Sequence, residues 1–513
     1  MADRVIPRLG EHPRIAGRGG LSGAIFALAL VFACFTLSST SYLAWLYRLM
    51  EYPSVSADGI TMVGGYSFQA LGIGVMCALI HWRPRLGDQI PFITAIAIHF
   101  ACITATVLAK TLEGLIALGF CMNFLSGLVC AFYLQRLAQW APRNRRGLAF
   151  GGGYACSIAL TWMFSQMQGG SPLDATQSII ACAVLSLVAI SLVTVSQNAL
   201  PTPAKELHDS MGATSESLRP IISDYVLTQQ PAEKDRSNTS ATRNALDAHS
   251  PLFKDSANQP IADIVSLACI TVVLMSLVKN VGFGFPSADL MQGVSLESSR
   301  LFYAAGLIIA GLIADASRKH AGLCCIAALV LPFGFIALAS EPIPATILWA
   351  ADYLFFGFFS VYRIVLFSDL AEDTECEHLT GFGLLFGRIG DALGTALWLA
   401  LGSTLIALVA VATVLFAATV IAFYHLLTRL YPAQVAVPKT EQERFEEFAA
   451  TYGVSIRERE VLRLVLAERT NAEVASALFI TEGTVKYHVH NLFKKTGCAN
   501  RRELIAKYNV NAS

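Results

Sequence analysis

Apolar runs of about 20 residues recur along the chain from Leu21 to about Thr428, and that is the length an α-helix needs to cross the hydrocarbon layer of a bilayer. The spacing predicts about twelve spanning helices. The first six cover roughly 21–47, 60–80, 90–110, 112–135, 147–168 and 175–197, and the second six roughly 261–283, 298–316, 321–340, 344–368, 381–401 and 403–428. With 54% hydrophobic and only 14% charged residues, the chain is more apolar than an average soluble domain. The first run follows Arg4, Arg8, Arg14 and Arg18 as a signal peptide would. It continues to about Tyr47, too far for a signal core, and reads as a spanning helix.

This pattern divides the chain into a basic N-terminal tail (1–20), a first membrane half (21–197), a linker (198–260), a second membrane half (261–428), a joining segment (429–453) and a polar C-terminal domain (454–513). The linker is rich in Ser, Thr, Pro, Asp and Lys and is expected to be disordered, because it has too little apolar surface to bury. Short-loop arginines and lysines resist translocation. Arg4, Arg8, Arg14, Arg18, Arg83, Arg85, Arg143, Arg145, Arg146, Arg318 and Lys319 fall on one side. The other side has only Arg48, Lys110, Lys279 and Arg300, near helix ends where they can snorkel. The expected protein is therefore multi-pass in the cell membrane, with the linker and both termini cytoplasmic.

Six helices, a polar linker and six more resemble the major facilitator superfamily, whose halves are structural repeats meeting at a midplane cavity. The stretch from Gly311 through Asp315 to Arg318 and Lys319 is similar to that superfamily's short basic loop signature, with Ala316 and Ser317 departing from it. The matching loop of the first half, around Arg83 and Arg85, keeps only the positive charge. Ionisable residues inside spans are costly. Arg388 and Asp391 lie one turn apart on one helix, and Asp352 and Arg363 about three turns apart on another. Two readings stay open for these four: mutual ion pairs, or a polar pocket for a small molecule. Gly383, Gly387, Gly390 and Gly394 have the spacing of close helix packing. The acidic cluster Asp369, Glu372, Asp373, Glu375, Glu377 and His378 reads as a solvated cytoplasmic loop, with cation binding as the alternative. The twelve cysteines lie singly in apolar runs apart from Cys324-Cys325, without C-x-x-C spacing, and Cys376 near His378 is the one exposed candidate for redox or metal chemistry. No metal or cofactor is expected.

After Tyr431-Pro432 the chain turns polar. Thr440 and Glu443 have capping-box spacing before a short helix at about 441–450, whose glutamates suit a solvated spacer; a signalling or dimerising helix is the alternative. From Val454 to about Tyr508 the periodicity gives four short helices, with Ser455 and Glu458, then Asn500 and Glu503, as further capping boxes. Thr481 can cap the third helix, where Val485, Val489, Leu492 and Phe493 face inward and Lys486, Tyr487, His490 and Lys494 face outward. Basic residues outnumber glutamates here, within a chain whose 37 Lys plus Arg balance 37 Asp plus Glu. An exposed helix face with hydrogen-bond donors, flanked by cations such as Lys494, Lys495, Arg501 and Arg502, is what major-groove binding requires.

The residues Ser455–Leu462, Asn471–Ala475, Leu478–Leu492 and Lys494–Gly497 resemble the LuxR-type (GerE-like) helix-turn-helix throughout. Glu468 stands where that family usually has glycine. The resemblance implies that Thr484 and Lys494 touch the DNA backbone, that Lys486, Tyr487 and His490 read bases, and that the domain dimerises through its last helix. The chain is thus expected to be all-α: a major-facilitator-like membrane domain of two six-helix halves carrying a four-helix LuxR-type domain. The function expected is that of a membrane-bound one-component transcription regulator whose partners are operator DNA, the bilayer, a small-molecule ligand and RNA polymerase. The alternatives are a transporter with an autoregulatory DNA-binding tail and a constitutive DNA tether. No nucleophile elbow, P-loop or receiver domain is present in the sequence, so no enzyme is expected. Reporter fusions at residue 198 and at the C-terminus should both report cytoplasm; an exported reporter at either point would contradict this topology.

Overall fold

The structure is a computed structural model that describes residues 20–57, 59–167, 173–200, 261–281, 296–331, 333, 342–431 and 440–510. The basic tail, residues 201–260 of the expected linker and the end of the run expected at 321–340 lie outside them. The described secondary structure is entirely helical and falls into two units, Met1–Pro432 and Ala433–Ser513.

The first unit contains α1 (Gly20–Met50), α2 (Tyr66–Trp82, entered through a π-helical turn at Gly59–Gly65), α3 (Gln89–Val107), α4 (Leu112–Trp140), α5 (Arg146–Met167) and α6 (Ala175–Ala199). After the linker follow α7 (Ile261–Val281), α8 (Leu296–Ala316), α9 (Arg318–Ala328), α10 (Pro342–Thr374), α11 (Phe382–Leu401) and α12 (Leu405–Leu430). Among the described residues, ten spans are long and apolar enough to cross a membrane. Their lipid-length apolar stretches leave large side chains such as Ile180, Leu187, Val414 and Ile421 exposed, as expected where the solvent is hydrocarbon rather than water.

The packing repeats. In the first half α1 lies against α5 and α6, and α2 against α4; in the second α7 lies against α11 and α12, and α8 against α10. The halves meet along two seams, α2 with α11 and α5 with α8. Advancing every label by six, cyclically, turns each of these seams into the other, so the halves are equivalent repeats. Small residues set how closely these helices approach. A Cβ placed on Gly390 or Gly394 would lie 2.4 or 2.5 Å from the carbonyl oxygens of Val273 or Leu277 on α7, and one on Gly383 would lie 2.2 Å from that of Arg363 on α10. Larger side chains would force those backbones apart.

One expectation is corrected here. The acidic cluster is not a solvated loop, because α10 continues to Thr374 and carries Asp369 and Asp373 into protein contact. Asp369 is buried and bonded to Arg146 at 2.9 Å, Arg318 at 2.8 Å and Arg143 at 3.4 Å, while Asp373 takes Arg143 at 2.8 Å. Asp315 accepts the backbone N–H groups of Gly147 and Leu148 at 2.7 and 2.8 Å, at the start of α5. A carboxylate there meets both the unpaired amides and the positive end of the helix dipole. Glu377 is likewise bonded by Gln135 and Gln139 of α4.

The second unit holds α13 (Glu441–Thr451), α14 (Ile456–Leu466), α15 (Asn471–Leu478), α16 (Glu482–Thr496) and α17 (Arg501–Val510). Capping boxes open α13, α14 and α15 at Thr440, Ser455 and Thr470. Here the reading of 441–450 as a spacer is revised. Phe445, Phe448 and Ala449 of α13 are buried in one core with Val461, Leu462 and Val465 of α14, Val485 and Leu492 of α16 and Leu504 of α17. Arg459 adds a 2.6 Å ion pair to Glu446. Four glutamates give α13 a polar appearance, yet its two phenylalanines sit three residues apart on one face.

Asp369→Asn removes the acid that Arg143, Arg146 and Arg318 share and leaves them only the flanking Asp373, Glu372 and Asp315, and losses of about 3–5 kcal/mol follow when one member of a buried ion network is removed. The expected result is less protein in the membrane and a lower unfolding temperature in detergent; unchanged unfolding would show the network to be energetically idle.

Candidate nucleic-acid interface and membrane-domain cavity

Residues 479–481 separate α15 from α16, the short turn of a helix-turn-helix. α15 ends on Phe479 at φ +54°, and the turn is closed by Thr481, whose hydroxyl accepts the N–H of Thr484 at 3.2 Å. Val485, Val489, Leu492 and Thr496 pin α16 to the core. That register leaves Lys486, Tyr487, His490 and Lys494 exposed, with Thr484 half-buried at the helix start. Among the described residues Lys486, Lys494 and Arg502 make no ion pair, so their charges are free for a partner.

Two of the expected phosphate-facing cations are engaged within the domain. Lys495 donates to Glu458 at 2.6 Å and to the Gly453 carbonyl at 2.9 Å, and Arg501 donates to the carbonyls of Val465 and Arg469. Burial alone would raise the Glu458 carboxyl, but the bonds from Lys495 and from Ser455 outweigh it and hold the group below the usual glutamate range. Lys507 is also turned inward, onto the Thr496 carbonyl at 2.6 Å.

In the first unit the structure brings together three of the four buried charges singled out from the sequence, and adds one. Asp391 accepts Lys279 at 2.8 Å and Asn280 at 2.9 Å, with Arg388 at 3.4 Å and Arg363 at 3.5 Å. Lys279 was expected to snorkel; α7 instead carries it against α11, beside the ring of Phe356. The clue in the sequence was a single acid among several cations. Asp352 stays apart: it is buried and its Oδ2 has no hydrogen-bond partner. The Arg388 guanidinium lies 4.2 Å over the Tyr66 ring and reaches the wall of a cavity of about 150 Å³. Gln69 and Asn123 from the first half and Tyr303 and Tyr353 from the second also line it. Arg363 and Asp391 stand behind that wall. None of these first-half residues was singled out from the sequence, because uncharged polar and aromatic side chains in a span carry no distinctive signal.

Comparison with known proteins places the second unit. The profile of the family described as bacterial regulatory proteins, luxR family, matches residues 453–508. The spore germination protein GerE of Bacillus subtilis is 37% identical over 62 residues, 12% of this chain and 84% of that protein. The uncharacterized transcriptional regulatory protein YhcZ of the same organism is 36% identical over 91 residues, 17% of this chain and 42% of that one. The CsgBAC operon transcriptional regulatory protein of Escherichia coli is 44% identical over 55 residues, 11% of this chain. The match thus spans under half of YhcZ and 26% of the CsgBAC regulator. A crystal structure of a peptide transporter in complex with sulfate aligns with 80% of this chain and 96% of its own, at a TM-score of 0.48 and 12% identity.

Glu468, where a glycine is usual, has φ +58°. A left-handed conformation costs an L-residue about 1–2 kcal/mol, and glycine gives back about 0.5–1 kcal/mol of that through its looser unfolded chain. Glu468→Gly should therefore raise the unfolding temperature of the isolated tail by about 2–6 °C. Gly497→Ala, at φ +71°, should lower it. Calorimetry giving a lower midpoint for Glu468→Gly would refute this account of the turn.

Proposed function

Because this chain belongs, through its C-terminal domain, to the luxR family of bacterial regulatory proteins, we propose that it is a membrane-bound one-component transcription regulator. The C-terminal unit binds operator DNA, and the membrane unit senses a small molecule. The observation that carries this reading is α16: its apolar stripe is fully committed to the core, while Lys486, Tyr487 and His490 present donors outward, beside the free cation Lys494. Such a face suits base edges in a major groove with phosphates alongside. Lys495 and Arg501 serve the domain's own architecture first, so the phosphate contacts rest on Lys494, Arg502 and Thr484.

The membrane unit supports the sensing half of the reading with a polar cavity that ends on a buried charge cluster. A ligand there changes the tail only by binding two conformations unequally. The domain acts as a homodimer through α17 on paired half-sites, both termini are cytoplasmic, and RNA polymerase is the downstream partner. Uptake of solute by reconstituted vesicles would move the reading to a transporter with an autoregulatory tail.

Residues 440–513 have their own core, so the isolated tail should fold and bind DNA. Lys486→Ala should weaken binding to the cognate operator by about 1–3 kcal/mol, roughly 5- to 150-fold, with little change on random DNA. Lys494→Ala should weaken both equally and flatten the dependence on salt. Fluorescence anisotropy giving equal losses on both DNAs for Lys486→Ala would remove it from the base-reading set.

A further inference from the structure

Charge around Asp391 does not balance. One carboxylate faces Lys279, Arg363 and Arg388, and its remaining neighbour, Asn280, is a neutral donor. Among the described residues Asp352 pairs with none of these cations, and the buried Nε atoms of Arg363 and Arg388 have no hydrogen-bond partner. A cationic surplus in a low-dielectric site is costly until an anion joins it. Arg388 is the member of this cluster that reaches the cavity wall, which also carries Arg300, so the surplus is presented to the cavity through Arg388.

The rest of the cavity narrows the anion. Its walls include Phe35, Tyr66, Tyr154, Tyr303 and Tyr353, rings that favour a flat apolar body and carry hydroxyls for polar substituents. Its volume of about 150 Å³ is that of a cavity able to accept benzene. Arg388 is stacked on Tyr66 and gives Nη1 to Asp391 at 3.4 Å, so a ligand carboxylate would take the guanidinium's remaining donors at the cavity wall.

We propose that this cavity binds a monocyclic aromatic carboxylate, with its carboxylate on Arg388 and its ring among the tyrosines. The proposal rests on the reading of the membrane unit as a sensor, but its binding step can be tested apart from it. The full chain in nanodiscs is titrated with benzoate and 4-hydroxybenzoate, and with benzamide as the neutral counterpart, while thermal unfolding is followed. Saturable stabilisation by the carboxylates, with at least about tenfold weaker response to benzamide, is expected. Arg388→Gln should unfold cooperatively and lose the preference for the charged ligand. If that variant does not fold, Arg388→Lys decides, since it keeps the charge without the paired donors and should retain the preference at about tenfold lower affinity. No response to either carboxylate, an equal response to benzamide, or an undiminished preference in folded Arg388→Gln would overturn the proposal. Binding in the expected pattern without any change in a promoter reporter in cells would leave the site standing and remove the sensor reading.

Discussion

The carboxylate of Asp369 is the point on which the membrane unit turns. It sits almost out of solvent on α10 and is bonded by Arg143 and Arg146, at the entry to α5, and by Arg318, at the entry to α9. Each arginine is costly to bury alone, and the shared acid makes all three tolerable together. The same contact joins the first half to the second, since α5 and α10 belong to different repeats. Asp315 adds a second bond across that boundary by holding the first amides of α5. The basic residues expected from the sequence to orient the chain in a bilayer are in part the residues that join its halves.

A second buried acid, Asp391, is used differently. Its cations come from α7, α10 and α11, all in the second half. At Asp369 the acids Asp373 and Asp315 stand close by and share the arginines. At Asp391 no further acid among the described residues does so, and the side chain nearest the cavity is an arginine. One cluster is closed on itself and structural in character, and the other has an open face.

Much of the fold was legible because the burial of apolar length that drives it is written in consecutive residues. The spans and the helix-turn-helix both belong to that class: capping boxes at Ser455 and Thr440 and the stripe of Val485, Val489 and Leu492 are local signals. What escaped depends on partners distant in sequence. Asp369 reads as a solvated charge until Arg146, 223 positions away, is found beside it. Lys279 reads as a helix-end cation until Asp391, 112 positions away, accepts its bond. Glu446 suggests solvent until Arg459 folds back to it and the phenylalanines of the same helix disappear into the core. At the candidate site, the outward face of α16 was visible in the sequence. The inward commitment of Lys495 and Arg501 was not, because a cation's partner cannot be read from its charge.

The two seams between the halves are equivalent by repeat but not in chemistry. The α5–α8 seam is stapled by Asp315 and the arginines around Asp369, whereas α2 and α11 meet mostly through apolar atoms, as at Gly74 and Leu385, with Arg388 over Tyr66 as a charged contact between them. Directional bonds resist sliding, and oily contacts tolerate it. In mechanical terms the unit has one latched edge and one lubricated edge. A tilt of the halves about that latch would displace most the side chains across the oily seam, where Arg388 leans on Tyr66.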